Sequence, residues 1–389
     1  MGFLSVLALA YSFYHGFVFS RRVRSSIDRP RSNFRPQVCL VMPCKGLENG
    51  LEENIKAILS QEYPNYEVVL VTDNENDPAY SLARSVIAKN PSANATLFTA
   101  EQSPTCSGKV AALLTALKKT QGQADVYAFI DSDSLAAPTW LSELVDPLID
   151  QSIGATTGFR WYFPAGGGFW SYVESAWNAA GTSILFDQRF HFPWGGATAV
   201  RAETLEKIKI RDAWLNAVSD DIALTLALRR NGYRTLFLPQ CVVATHNQTT
   251  RARFLEWAVR QTALTKVLNK GLWRYALVAY GFVDLVLALG LTSLALGFFL
   301  EPGWLIPAAL LLSPSILGIL NSVQRYSAFE QALPHFSREF RKTRILGAFA
   351  SLLVPWAMTY CLAKSASLRE IEWRGRKYPI NKQNALAPR

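Results

Sequence analysis

Cysteine is scarce in this chain, and the few present are scattered. Cys39, Cys44, Cys106, Cys241 and Cys361 are the five among 389 residues. None belongs to a CxxC pair and no Cys/His set has zinc-ligand spacing, which excludes the common structural zinc sites. Isolated thiols fit a reducing compartment better than a disulfide framework. Charge is low as well: charged residues make up 18% of the chain, against about 25% in an ordinary soluble domain. The chain lacks internal repeats and low-complexity tracts. It also lacks basic runs interleaved with aromatics, which argues against a nucleic-acid partner.

Apolar residues are what it has. They form 50% of the sequence, and the mean hydropathy is slightly positive. The net charge of +10 suits attraction to anionic lipid or phosphate. Residues 2–19 are apolar and uncharged, and Arg21, Arg22 and Arg24 follow at once. A cleaved signal peptide carries its charges before the apolar run, so we expect an uncleaved anchor helix over 1–20 with everything downstream cytosolic. A basic linker, 21–37, comes next. Towards the other end, 275–320 reads as a transmembrane hairpin turning at Glu301-Pro302. Residues 321–345 read as a cytosolic basic loop, and 346–363 as a transmembrane or re-entrant segment. Residues 364–389 form a basic tail, whose charge places it inside.

Between these lies a region, 38–270, of different pattern. Short apolar runs at Val38–Met42, Tyr66–Val71, Thr96–Phe98 and Val126–Ile130 alternate with helical stretches at 51–60, 79–89 and 108–120. That alternation predicts an α/β domain with a mostly parallel sheet, in which ligands bind at the carboxyl ends of the strands. Residues 158–198 are crowded with aromatics, among them Trp161 and Trp194. They suit either an aromatic core or a surface at lipid-headgroup level.

Acidic residues cluster at the expected strand ends. Asp131-Ser132-Asp133 follows Ile130, and two carboxylates so placed can hold a Mg2+ or Mn2+ ion that neutralises a departing diphosphate. The bland alternative is a cap for a helix over Leu135–Val145. Asp73 to Asp77 follows the second strand and could meet a nucleotide or simply turn the chain. Ser219-Asp220-Asp221 precedes a helical run; it could cap that helix or supply a general base. Gly108-Lys109 opens a helix and suits a phosphate, but the full Walker pattern is missing, so ATP hydrolysis is not supported. Two residues stand apart from these clusters: Asp284, inside an apolar segment, and His191, near the aromatic crowd.

Taken in order, Pro43-Cys44-Lys45-Gly46, Tyr63-Pro64-Asn65-Tyr66-Glu67-Val68, Asp73 to Pro78, Gly108-Lys109, Asp131-Ser132-Asp133, Gly195-Gly196-Ala197-Thr198 and Ser219-Asp220-Asp221 resemble the family 2 glycosyltransferases of the ceramide glucosyltransferase type. The resemblance covers roughly residues 38–265. It implies a GT-A (Rossmann-like) nucleotide-sugar-binding domain and a UDP-sugar donor, glucose first among the sugars, with a lipid acceptor such as ceramide. It further implies Mg2+ or Mn2+ held by Asp131 and Asp133, and donor binding by Asp73 or Asp77 with Lys109 and Asp131. The catalytic base falls on Asp221 with Asp220 beside it. Independently of the resemblance, Trp161, His191 and Trp194 of the aromatic stretch, with the adjoining Gly195 and Gly196, are candidates for an acceptor region, a structural histidine being the other reading of His191. The family's closing motif matches Arg253-Phe254-Leu255-Glu256-Trp257 in its first basic residue and its tryptophan, so Arg253 and Trp257 are donor-binding candidates. Glu256 stands where that motif has arginine, and a carboxylate cannot pair with diphosphate; Arg251, Arg260 or Lys266 are candidates to replace it. Trp373-Arg374-Gly375-Arg376 resembles a terminal segment of related bacterial enzymes. A processive polysaccharide synthase and a non-catalytic membrane scaffold on a degenerate transferase fold are the alternative readings.

Overall fold

A computed structural model of the chain describes residues 2–187, 191–373 and 376–379. The chain opens with α1 (Gly2–Ile27), which runs seven residues past the expected linker boundary at 20. Then come β1 (Val38–Cys44), α2 (Leu51–Leu59), β2 (Tyr66–Thr72), α3 (Pro78–Lys89), β3 (Ala95–Thr99), α4 (Gly108–Lys119) and β4 (Val126–Ile130). Each expected strand and helix in this stretch is present to within a few residues. The chain continues through α5 (Trp140–Val145), β5 (Ile153–Thr157), β6 (Arg160–Pro164), α6 (Phe169–Gly181), β7 (Ala197–Arg201), α7 (Ala202–Lys207), α8 (Ile210–Trp214), α9 (Asp220–Arg230), β8 (Arg234–Phe237) and β9 (Val243–Asn247).

Seven strands form one sheet in the order β3-β2-β1-β4-β7-β5-β8. The first four run parallel. β7 lies antiparallel to both β4 and β5, so the sheet is mixed. The apolar runs have a simple cause. Every residue of β4 is buried, because helices cover both faces. Alternate residues serve different cores. Leu40, Met42, Val68, Leu70, Ala128 and Ile130 pack towards α2, α3 and α5. Cys39, Val41, Val69, Val71, Tyr127 and Phe129 pack towards α4, α8 and α9. Each of the larger apolar side chains among them, such as Leu40, Met42, Val69 and Phe129, contributes roughly 1.5–3 kcal/mol through burial.

The helix expected over Leu135–Val145 begins only at Trp140. Leu135 instead bridges antiparallel to Ala244, and Pro138 breaks any earlier start. Asp131 and Asp133 are therefore not caps of that helix.

The fold divides into two compact units. One, the sheet unit, holds Ser26–Tyr162 and Thr182–His246. The other is helical: Met1–Ser25, Phe163–Gly181 and Asn247–Ile380. The expected single domain over 38–270 is thus interrupted at 163–181 and ends at His246. The helical unit contains α6, α10 (Arg251–Leu268), α11 (Lys270–Phe299), α12 (Leu305–Ala332), α13 (Ser337–Ala350) and α14 (Val354–Ala366). Its core joins Val173, Ala176 and Trp177 of α6 to Phe254 and Ala258 of α10 and to Ala350, Val354 and Cys361. Among the described residues, three helical stretches are long and apolar enough to cross a membrane: Lys270–Phe299, Pro302–Ala332 and Pro334–Ala366. The third takes in 346–363. The segment 321–345, expected as a loop, is mostly helix, shared between α12 and α13. Apolar side chains stand exposed along these helices, including Val278, Phe282, Phe298, Ile316 and Trp356, as lipid-facing positions require. β10 (Glu370–Trp373) and β11 (Arg376–Pro379) pair antiparallel. Arg374, Gly375 and the tail from 380 lie outside the described residues.

Candidate active site

The parallel strands place their carboxyl ends along one edge of the sheet. Asp73 follows β2 and Asp131 follows β4. β7 runs the other way, so Gly195 and Gly196, just before it, reach the same edge. Lys109 stands in the first turn of α4, whose N-terminus is capped by the Ser107 hydroxyl on the Val110 N–H. Asp220 and Asp221 form the first turn of α9.

Lys109 ties these pieces together. Its Nζ lies 2.7 Å from Asp131 Oδ1 and 3.1 Å from Asp220 Oδ2, and it donates to the Gly195 carbonyl at 3.3 Å. Burial opposes its charge, but Asp131 and Asp220 together hold the ammonium well above the usual lysine range. The backbone at 195–196 passes so close to the acids that only glycine fits. A Cβ on Gly195 would sit 1.9 Å from Asp220 Oδ2, and one on Gly196 would sit 2.6 Å from Asp131 Oδ2.

Asp221 differs from its neighbour. Its Oδ1 accepts from the Ser219 hydroxyl and from the Ile222 N–H at 2.7 Å. Desolvation by the surrounding protein, and then the adjacent Asp220 charge, push its carboxyl up to about 6. A carboxylate tuned in this way still ionises at neutral pH and takes a proton more readily than a free one.

Arg160, which the sequence reading missed, stands against the Asp131/Asp133 pair. Its Nη2 is 2.9 Å from Asp131 Oδ2 and 2.6 Å from Asp133 Oδ1. Its Nη1 is 2.7 Å from Asp133 Oδ2 and 3.1 Å from Tyr162 Oη. Burial disfavours the cation, yet Asp133, Tyr162 and Asp131 keep it firmly protonated. No spacing rule marks a lone arginine in an aromatic stretch; only the fold brings it to β4. The two carboxylates converge on one cationic nitrogen, so their geometry suits a shared divalent ion. No group of three or more His, Cys, Asp or Glu converges among the described residues. A Mg2+ or Mn2+ ion here would take its remaining ligands from diphosphate and water, as such ions commonly do.

Asp73 pairs with Lys45 at 3.1 Å, and its Oδ1 is 3.9 Å from where a Gly108 Cβ would lie, near the start of α4. Asp77 has a structural task. Its Oδ1 accepts from Ala79 N–H, capping α3, and from Gly46 N–H. Trp161 is 1% exposed and so packs inside, while Trp194 sits with its ring 5.0 Å from the Arg160 guanidinium. His191 Nδ1 meets the Thr235 carbonyl at 2.6 Å, and burial lowers its pKa; it reads as a structural histidine. Phe190 lies outside the described residues. Much of the remaining aromatic stretch is core, with Tyr162, Phe163 and Trp177 all buried.

Arg253 and Trp257 belong to the helical unit. Arg253 is exposed on the first turn of α10, and Trp257 packs edge-on against Trp177 at 4.9 Å. Glu256 is exposed. Of the three candidates to replace the missing arginine, Lys266 donates to the Ala366 carbonyl at 2.6 Å and closes the end of α14. Arg251 lies over the Trp170 ring. Arg260 is partly buried on the same helix.

Comparison with known proteins decides the family. The profile described as glycosyl transferase family 21 matches residues 2–386. The chain belongs to this family. Among curated relatives, an uncharacterised glycosyltransferase of Haemophilus influenzae is 29% identical over 32% of this chain and 46% of its own length. The ceramide glucosyltransferase of Komagataella phaffii is 24% identical over 37% of this chain and 28% of its own length. The matches thus span less than half of either relative. Of solved structures, the mannosyltransferase PcManGT from Pyrobaculum calidifontis, in complex with GDP-Man and Mn2+, aligns at 20% identity. That alignment covers 90% of this chain and 98% of the other, with a TM-score of 0.44. The resemblance to ceramide glucosyltransferases stands at the level of distant kinship.

Proposed function

We propose that this family 21 member is a membrane-bound inverting glycosyltransferase on a GT-A fold. It moves a hexose, glucose from UDP-glucose first among the candidates, onto the hydroxyl of a lipid such as ceramide. The observation that carries this reading is the single cluster at one sheet edge, where Lys109 links Asp131 to Asp220 beside the raised carboxyl of Asp221. Phosphate-directed charge and a tuned base in one cluster are what single-displacement sugar transfer needs.

Asp221 takes the proton of the acceptor hydroxyl through Oδ2, while Ser219 and the Ile222 N–H hold Oδ1 in place. The freed oxygen attacks the anomeric carbon, and the bond from that carbon to the diphosphate oxygen breaks with inversion. Asp73 and Lys109 bind and orient the donor. Asp131 and Asp133 would hold a Mg2+ or Mn2+ ion, which supplies positive charge to the leaving diphosphate. The kinship with ceramide glucosyltransferases and the exposed apolar helices support a lipid acceptor. The charge of Arg21, Arg22 and Arg24 supports α1 as an anchor and a site facing the cytosol.

A transfer assay tests this. Membranes containing the protein receive labelled UDP-glucose, Mn2+ and a panel of lipids, with Asp221→Asn as the control. Label should enter one lipid with wild-type protein and fall by about 10²–10⁴-fold in the variant, with donor binding retained. Equal label in the two proteins would remove Asp221 from the chemistry. Absence of donor binding would remove the transferase reading.

A further inference from the structure

All four oxygens of Asp131 and Asp133 are already engaged by cations of the protein itself. Lys109 Nζ holds Asp131 Oδ1, and Arg160 holds the other three through Nη1 and Nη2. The Arg160 side chain is 13% exposed. Its guanidinium lies 5.4 Å from the Tyr162 ring and 5.0 Å from the Trp194 ring. The fork is therefore held in place by two carboxylates and two aromatic neighbours.

We infer that Arg160 is a built-in stand-in for the divalent cation, which makes metal binding at Asp131 and Asp133 conditional on the nucleoside diphosphate. The inference rests on the reading above that these two aspartates are the metal ligands. A metal arriving alone must displace a planar, two-pronged guanidinium pair. It would also break the charge-assisted pairs of a largely buried cation with two carboxylates, which is strongly unfavourable. A diphosphate removes that obstacle. It brings several negative charges to the same edge, and Arg160 can transfer its two prongs from the carboxylates to phosphate oxygens. Metal and diphosphate then bind as a linked pair, each raising the affinity for the other by the same factor. Lys109 remains on Asp220 throughout, so the cluster keeps its shape. An empty site would hold no loosely bound metal, and released diphosphate would take the metal's affinity away with it.

The test uses the full-length protein in detergent and measures Mn2+ binding by electron paramagnetic resonance, with and without saturating UDP. Association of Mn2+ with free UDP is measured separately and subtracted. In the wild type, UDP should tighten Mn2+ binding at least tenfold. Arg160→Gln, in the absence of nucleotide, should bind Mn2+ at least tenfold more tightly than wild type and gain little more from UDP. Equal Mn2+ affinity in wild type and Arg160→Gln without nucleotide would overturn the inference while leaving the metal site intact. If Arg160→Gln fails to fold, the wild-type comparison decides alone, and no gain from UDP overturns the inference. The double variant Asp131→Asn/Asp133→Asn separates the two levels. Mn2+ binding unaffected by it would show that the metal lies elsewhere, and the donor-site reading would fall first.

Discussion

At the scale of single residues, Asp221 joins chemistry to stability. Its carboxyl is raised from 3.8 to about 6, by desolvation and then by Asp220. Transfer needs the ionised form, so the rate should rise with pH through about 6 and level off above it. The stability effect has the opposite sign. Between the unfolded and folded values the unfolded chain is ionised and the folded one is not. Folding therefore loses stability as pH rises through that window, and the full cost is present at neutral pH. Asp221→Asn removes the charge and keeps an oxygen for Ser219 and Ile222. The variant should unfold at a higher temperature than wild type at pH 7.5, by an amount worth up to about 3 kcal/mol, and the gain should vanish below pH 4. Thermal unfolding at the two pH values checks this. A variant no more stable at pH 7.5 would mean that the carboxylate is not under strain.

Elements separate two aspartates that sequence alone left level. Asp77 caps α3 and holds the turn after β1 through Gly46. Asp73 makes an ion pair with a partly exposed lysine. Asp77→Ala should therefore cost about 1–2 kcal/mol of stability, the usual loss for a capping aspartate. Asp73→Ala should cost little, since such pairs contribute about 0–1 kcal/mol, but should weaken UDP binding. Chemical unfolding and UDP titration of the two variants decide the assignment. The elements also show what could be read in advance. β1, β2 and β4 announced themselves because burial on both faces demands unbroken apolar runs. β5 and β7 did not, because Ile153–Thr157 and Ala197–Arg201 are mostly small or hydroxyl-bearing residues, with one large aliphatic side chain each, Ile153 and Val200. Leu135 looks like a first helical residue yet pairs with Ala244, so α5 starts later than the apolar pattern suggests. Arg160 was invisible for a related reason: its partners are 27 and 29 residues away, and tertiary structure alone joins them.

For the molecule as a whole, the three long apolar stretches of the helical unit support a multi-pass membrane protein. The length of their apolar runs marks two of them in the sequence. The third is harder to read, because 346–363 is only just long enough, contains Pro355, and is followed by a basic tail whose charge argues against a further crossing. If these stretches span, the protein needs no help from α1 to stay in the bilayer. A version lacking residues 2–20 should remain in the membrane pellet after alkaline carbonate extraction. Its appearance in the supernatant would assign the anchoring to α1 alone.

The sheet order carries a consequence for biosynthesis. β4 gains its second neighbour only when β7 has been made, and between them the chain departs from the sheet unit at Phe163 and re-enters it at Thr182. A ribosome that has just finished β4 leaves one long side of an apolar strand open to any other extended peptide. It stays open for some seventy residues of elongation, about 4–14 s at ordinary translation speeds. In that interval the nascent chain is at its most vulnerable, and a chaperone that masks strand edges would have most to do there.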